Sequence, residues 1–300
     1  MKRLLIGYDG SDQAREAART AGRLGVVLGA KVTVVTVGQI VLGQMASAAG
    51  TTVVPSLDER AFLPIAEDGA AIVRGSGVEA DVCVLLGEPA SKLIEVAARE
   101  GHDLVVVGHC GLGGLKGLVL GSVAKKVATE APCPVLVVRG TAPEVLKNIL
   151  VAVDGSELAE QALKAAATLA KAFAAGITLV HVVFPPLLNE RKLEPAARRL
   201  RPTPEEQVGR EALARAREIC ARMEVGYDSM QLGVDCESVL SDGPPSEVIP
   251  SLARSGVYDM VAVGRRGMSG VARLLLGSVS EEVLARGGAL TLVAGKLQGA

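Results

Sequence analysis

The sequence predicts an α/β protein of two tandem domains, each a five-stranded parallel sheet with helices on both faces. Three observations carry this. First, the chain repeats itself: Leu4-Leu5-Ile6-Gly7-Tyr8-Asp9-Gly10-Ser11 returns as Ile149-Leu150-Val151-Ala152-Val153-Asp154-Gly155-Ser156, 145 positions on. Asp103–Gly108 returns as Asp259–Gly264, and Gly121-Ser122-Val123 as Gly277-Ser278-Val279, both 156 positions on, so the second copy holds eleven more residues. Second, within each copy short, nearly continuous apolar runs alternate with Ala-rich amphipathic stretches, the pattern of buried parallel strands joined by helices. Third, 300 residues is the length of two domains at about 100–200 residues each. The seam lies in Gly140–Lys147, giving domains 1–143 and 144–300.

The first copy reads in order. Leu4–Tyr8 is a short apolar strand. Ser11 caps an Ala-rich helix running to about Leu28. Lys31–Val37 is a β-branched strand. Residues 38–56, rich in Gly, Ala, Ser and Thr, read as a long loop, and a weak helix follows, with Pro64 its doubtful point. Asp81–Leu86 is a strand. Pro89–Arg99 is a helix with Leu93, Ile94, Ala97 and Ala98 on its apolar face. Leu104–Val107 is a strand, Ser122–Glu130 a helix and Val135–Val138 the last strand. The second copy follows the same order, and there Thr203-Pro204-Glu205-Glu206 places an N-cap, a Pro at N1 and a Glu at N3.

Composition excludes several function classes. Lys plus Arg is 32 against 33 for Asp plus Glu, so the basic excess of a nucleic-acid binder is missing. Aromatics are 2% with no Trp, which argues against a base-stacking platform. The five cysteines, Cys83, Cys110, Cys133, Cys220 and Cys236, form no C-x-x-C and leave one over, so they read as reduced thiols of a cytoplasmic protein. His102, His109 and His181 have no metal-ligand spacing. The N-terminal apolar stretch is cut at Asp9, too early for a signal peptide, and no run reaches membrane-spanning length, so no membrane association is expected.

In a sheet of this kind ligands bind outside the carboxyl ends of the strands. After the fourth strand comes Gly108-His109-Cys110-Gly111, then nine residues, then Gly121-Ser122. The second copy has Gly264-Arg265-Arg266-Gly267, nine residues, then Gly277-Ser278. Both fit G-x2-G-x9-G-[ST]. Glycines let backbone amides approach a ligand closely, and a helix opening at Gly121-Ser122 turns free N–H groups and the positive end of its dipole toward an anion. On that reading the Ser122 hydroxyl bonds a phosphate oxygen; on the plainer one it caps the helix and the glycines only end a strand. Asp9 and Asp154, closing the first strands, either accept from a ribose hydroxyl or adenine amino group or cap the next helix. Arg265, Arg266 and Arg273 in copy two, and Lys116 with His109 in copy one, are the candidate phosphate counter-charges, or else a solvated face. No Walker-type lysine motif occurs, and Gly111–Gly117 misses the dinucleotide glycine pattern by one residue. No general base repeats between the copies, because Arg265 stands where copy one has His109.

These residues resemble the universal stress protein (UspA) family in its tandem form: Asp9, Gly108, Gly111, Gly121 and Ser122 in copy one, Asp154, Gly264, Gly267, Gly277 and Ser278 in copy two. The resemblance covers nearly the whole chain, and the glycine motif belongs to the family's ATP-binding branch. It implies Rossmann-like domains holding an adenine nucleotide, ATP, free or with Mg2+, in the cleft. Val37 and Val182, each 28 residues after its aspartate, are implied to hold adenine through backbone groups. Val123 and Val279, after the cradle serines, complete the implied site. The resemblance also implies pairing of the two domains through their last strands, further association of chains into a homo-oligomer, and a regulatory or stress-response role; slow ATP hydrolysis, nucleotidyl transfer and a scaffold with empty sites are the alternatives. Copy two departs in its last strand, where Gly287–Ala294 lacks both prolines of Ala131-Pro132-Cys133-Pro134. The loops 38–66 and 184–204, placed near the cleft mouth, differ between copies.

Overall fold

The computed structural model describes residues 1–38, 58–111, 120–183, 204–232, 244–267 and 276–294. In the first half β1 (Arg3–Gly7) leads to α1 (Asp12–Leu28) and β2 (Lys31–Gly38). A 3-10 turn (Glu59–Phe62) precedes α2 (Leu63–Arg74), followed by β3 (Ala80–Leu86), α3 (Pro89–Glu100), β4 (Leu104–Gly108), α4 (Ser122–Glu130) and β5 (Val135–Val138). The second half gives β6 (Asn148–Ala152), α5 (Glu157–Phe173), β7 (Gly176–Val182), α6 (Pro204–Arg222), β8 (Tyr227–Leu232), α7 (Pro245–Ala253), β9 (Met260–Gly264), α8 (Ser278–Arg286) and β10 (Leu290–Ala294).

The local chemistry explains most of these bounds. Ser11 and Ser156 accept a hydrogen bond from Ala14 N and Ala159 N and so cap α1 and α5. Glu88 does the same for α3, with Pro89 in its first turn. The helix in doubt around Pro64 is formed there. Pro64 sits in the first turn of α2, where its missing N–H has no intrahelical partner to lose. Residues 63–66 are therefore helix, a correction to the loop expected over 38–66. α1 ends on Gly29 in the left-handed region, while α5 ends at the equivalent place on Ala174, also left-handed at φ 53°. The cap expected at Thr203 lies outside the described residues. The strand registers place most of the eleven additional residues between β8 and α7.

All ten strands form one sheet, in the order β3-β2-β1-β4-β5-β10-β9-β6-β7-β8. Every neighbour is parallel except β5 and β10, which pair antiparallel and join the halves. The expected pairing through the last strands is thus present, and β10 makes it without the two prolines. Leu136 faces Leu292, its own counterpart in the repeat, at the centre of the junction. Strand residues alternate between two faces. Leu4, Ile6, Leu136, Ile149, Val151 and Leu292 belong to a core shared with α1, α2, α5 and α6. Leu5, Val105, Val135, Leu150 and Val293 belong to another, shared with α3, α4, α7 and α8. Each core runs unbroken through both halves, so the hydrophobic stabilisation of one half is continuous with that of the other.

Candidate functional site

The carboxyl end of β1 sets the first group in place. Asp9 Oδ1 accepts from Ser11 N at 3.0 Å, and Asp154 Oδ1 accepts from Ser156 N at 2.9 Å. The aspartates therefore do not cap α1 and α5; the serines do, and each carboxylate is held in a tight side-chain turn. Its outer oxygen, Oδ2, meets the loop after β4 or β9: a Cβ built on Gly111 would collide with Asp9 Oδ2, and one on Gly267 with Asp154 Oδ2. Two residues 102 positions apart in the first copy, and 113 apart in the second, come into contact the same way. Any larger residue at Gly111 or Gly267 would have to push the carboxylate aside.

The other motif glycines are equally constrained. A Cβ on Gly108 would lie 3.0 Å from the backbone of Gln13, and one on Gly264 2.8 Å from Ala159 N, so the strand exits run against the first turns of α1 and α5. Gly121 N donates to His109 O at 2.8 Å and Gly277 N to Arg265 O at 2.9 Å, closing each cradle onto its own start. Gly121 and Gly277 are themselves the N-caps of α4 and α8, with no side-chain cap. Ser122 and Ser278 are the first helical residues, so the capping role does not fall to them. Val37, Val123, Val182 and Val279 are half-buried against the second core. Val182 ends β7, whereas β2 runs one residue past Val37 to Gly38. Lys116 and Arg273 lie outside the described residues, as do most of the loops 38–66 and 184–204.

His109 and Arg265 are corrections. Neither turns into the cradle. His109 is 2% exposed, and its Nε2 faces Arg139, whose Nη2 donates to it, with Leu284 O at 3.1 Å. Arg139 also donates to the carbonyls of Leu284 and Ala285 at the end of α8. Burial and the Arg139 charge push the His109 pKa down to about 4, so the ring is neutral at pH 7 and takes the tautomer protonated at Nδ1. Arg265, at the equivalent position, crosses the junction the other way, donating to Ala131 O at 2.6 Å. Burial and the neighbouring Arg266 lower its pKa to about 10, which leaves it charged. Arg265 thus ties its loop to the opposite half directly, and His109 does so through Arg139. Lys125 of α4 and Glu281 of α8, also equivalent in the repeat, form an ion pair across the same junction.

Three features of the site carried no sequence signal. Thr36 Oγ1 donates to Tyr8 O at 2.9 Å, and its counterpart His181 bonds Val153 O through Nδ1 at 2.8 Å, so both copies fasten the end of the first strand to the second. The Phe62 ring covers Gly38, beside Val37, so closely that a Cβ there would overlap it. The turn after the first aspartate has different walls: Ile65 lies against Gly10, but the Arg215 guanidinium lies against Gly155, its Nη2 2.6 Å from where a Cβ would stand. Among the described residues no cluster of His, Cys, Asp and Glu could hold a metal ion, and no helix is long and apolar enough to cross a membrane.

Comparison with known proteins agrees with the duplicated architecture. A model of the Universal stress protein family matches residues 1–139 and again 146–289. The universal stress protein YxiE of Bacillus subtilis is 34% identical over 145 residues, covering 46% of this chain and 98% of that protein. A universal stress protein of Thermus aquaticus is 38% identical over 138 residues, again 46% of this chain and 98% of the relative. The crystal structure of a universal stress protein from Archaeoglobus fulgidus covers 98% of both chains with a TM-score of 0.69 at 18% identity, a likeness of fold.

Proposed function

The chain belongs to the universal stress protein family, its family model matching once in each half, and from that premise we propose that it is an ATP-binding regulatory or stress-response module with one nucleotide site in each domain, 1–143 and 144–300. The observation that carries this reading is the twice-made contact between the strand-end carboxylate and the first loop glycine, Asp9 with Gly111 and Asp154 with Gly267. It puts an acceptor for ribose or adenine next to backbone amides and an uncapped helix N-terminus, the pairing of groups a nucleotide needs.

In this reading the backbone beside Val37 or Val182 receives adenine, Asp9 or Asp154 the ribose, and Gly108–Gly111 with Gly121, Ser122 and Val123, or Gly264–Gly267 with Gly277, Ser278 and Val279, the phosphates. ATP enters free or as its Mg2+ complex. Occupancy acts on cytoplasmic partners by favouring one conformation or assembly through its higher affinity for that state. β5 and β10 are already paired within the chain, so association of two chains uses another surface. His109 is held in the junction, which removes the one histidine near a cradle from service as a base.

Calorimetric titration of nucleotide-free protein with ATP and magnesium tests this. Two ATP per chain, abolished by Gly121→Asp with Gly277→Asp, is the expected result. The added carboxylate would stand where a Cβ already crowds Cys110 Cα at 3.1 Å or Arg266 Cα at 3.3 Å. ATP binding that survives the double substitution sinks the cradle assignment.

A further inference from the structure

We propose that the two nucleotide sites are coupled, ATP in one cradle raising the affinity of the other, and that the coupling runs through Arg139 and Arg265. This rests on the nucleotide-binding reading above and adds a regulation to it.

Each cradle helix is held at its two ends by different halves of the chain. The N-terminus of α4 is closed by its own loop, Gly121 N donating to His109 O at 2.8 Å, and that of α8 by its own, Gly277 N donating to Arg265 O at 2.9 Å. The C-termini are held from across the junction. Arg265, of the second half, donates to the carbonyl of Ala131, the C-cap of α4, at 2.6 Å. Arg139, of the first half, donates to Leu284 O at 3.1 Å and to Ala285 O in the last turn of α8. A guanidinium suits both places, because the last carbonyls of a helix lack partners within it and carry the negative end of its dipole.

The clamps and the cradles share residues. Arg265 is the first variable residue of the second loop, and its own carbonyl closes that loop on Gly277. His109 is the same residue of the first loop, and its ring accepts from Arg139. The contacts make a closed circuit, from the first loop along α4 to Arg265 and the second loop, then along α8 to Arg139 and back to His109. A phosphate seated on Gly121 and Ser122 fixes α4, and with it the carbonyl on which Arg265 lands. The second loop is then partly ordered before its own ligand arrives, so the second ATP meets a smaller ordering cost. The same holds in the opposite order through α8 and Arg139, as linkage requires. Lys125 and Glu281 also join α4 to α8, but both side chains are half-exposed, and such pairs contribute little.

Calorimetric titration with ATP and magnesium measures the coupling. Gly277→Asp and Gly121→Asp chains give the association constants of the first and second cradle alone. In the intact chain the product of the two stepwise constants should exceed the product of those single-cradle values by about tenfold. Arg139→Gln, built into all three chains, should bring that ratio to about one with two ATP still bound per intact chain. Arg265→Met should lower the ratio as well. Arg139→Lys and Arg265→Lys keep a cation at each helix end, should lower the ratio partway, and stand in for any neutral variant that does not fold.

A second readout needs one working cradle only. In the Gly277→Asp chain, ATP should slow amide hydrogen exchange across Gly264–Gly267, and Arg265→Met should remove that protection. A ratio near one in the intact chain, or a ratio that survives substitution of both arginines, overturns the coupling and leaves nucleotide binding standing. One ATP per intact chain overturns the coupling together with one of the two sites. An intact chain that binds no ATP overturns the nucleotide reading itself.

Discussion

Replacing His109 with glutamine should flatten part of the acid sensitivity of the fold. The imidazole is 2% exposed, accepts from Arg139 and is neutral at pH 7. Its pKa lies near 4, against about 6.5 in the unfolded chain. Because the folded value is the lower one, the unfolded state binds the proton first as the pH falls, so stability is full above about 6.5 and drains away toward 4. Between pH 7 and pH 5 the loss from this one group is about 2 kcal/mol by linkage, or roughly 4 °C in Tm for a chain of this size. Glutamine keeps an acceptor for the Arg139 guanidinium and does not titrate. His102 is also buried, and its pKa is also lowered by burial, so it adds acid sensitivity of the same sign to wild type and variant alike. The measurement is thermal or urea unfolding of both proteins from pH 7.5 to pH 5. The reasoning fails if the two profiles run parallel over that range.

Three further outcomes follow from the same geometry. Gly111→Ala should weaken ATP binding at the first site alone, taking the fitted stoichiometry from two toward one, and destabilise by about 1–2 kcal/mol as Asp9 is driven off Ser11 N; unchanged stoichiometry and Tm would show that the contact is loose. Ala174→Gly should raise Tm, by about 0.5–1 kcal/mol of stability, because the left-handed cap at φ 53° strains an alanine where the first copy uses Gly29; a fall in Tm would count against it. Burial pushes the thiols of Cys133 and Cys220 up to about 12 and about 11, so at pH 8 neither should react with a disulfide reagent before unfolding. More than three fast equivalents from the five cysteines would contradict that.

The sequence made much of this molecule legible because two independent periodicities agreed. Apolar runs such as Leu104–Val107 and Val135–Val138 are buried on both faces, the mark of inner strands, although β5 pairs parallel with β4 and antiparallel with β10. The end of α1 at Leu28 and the span of α4 were readable from Ser11, Gly29 and Gly121. Pro64 misled because proline breaks a helix only after its first turn, and the sequence does not show where that turn begins. The site divides in the same way. The glycine spacing marked the loops after β4 and β9, where close backbone approach at Gly108, Gly121, Gly264 and Gly277 favours glycine. The direction of His109 was not legible: which way a side chain leaves a strand end is decided by Arg139 and Leu284, and Leu284 belongs to the other half of the chain. Arg215 was invisible for a like reason, its place over Gly155 being set by the packing of α6.

Leu136 opposite Leu292 and Lys125 opposite Glu281 mark where a two-fold axis passes between the repeats. In a dimer of identical chains, a residue near such an axis faces its own duplicate, and every substitution arrives twice. A lysine there would confront a lysine. The fused chain escapes that rule: one half carries the cation, the other the anion, and the attraction exists only because the two copies are separately encoded. The same freedom extends outward from the axis to His109 and Arg265, and then to Cys110 and Arg266. Joining the halves end to end does more than hold them together. It lets two inherited copies drift apart in character while sharing one continuous sheet.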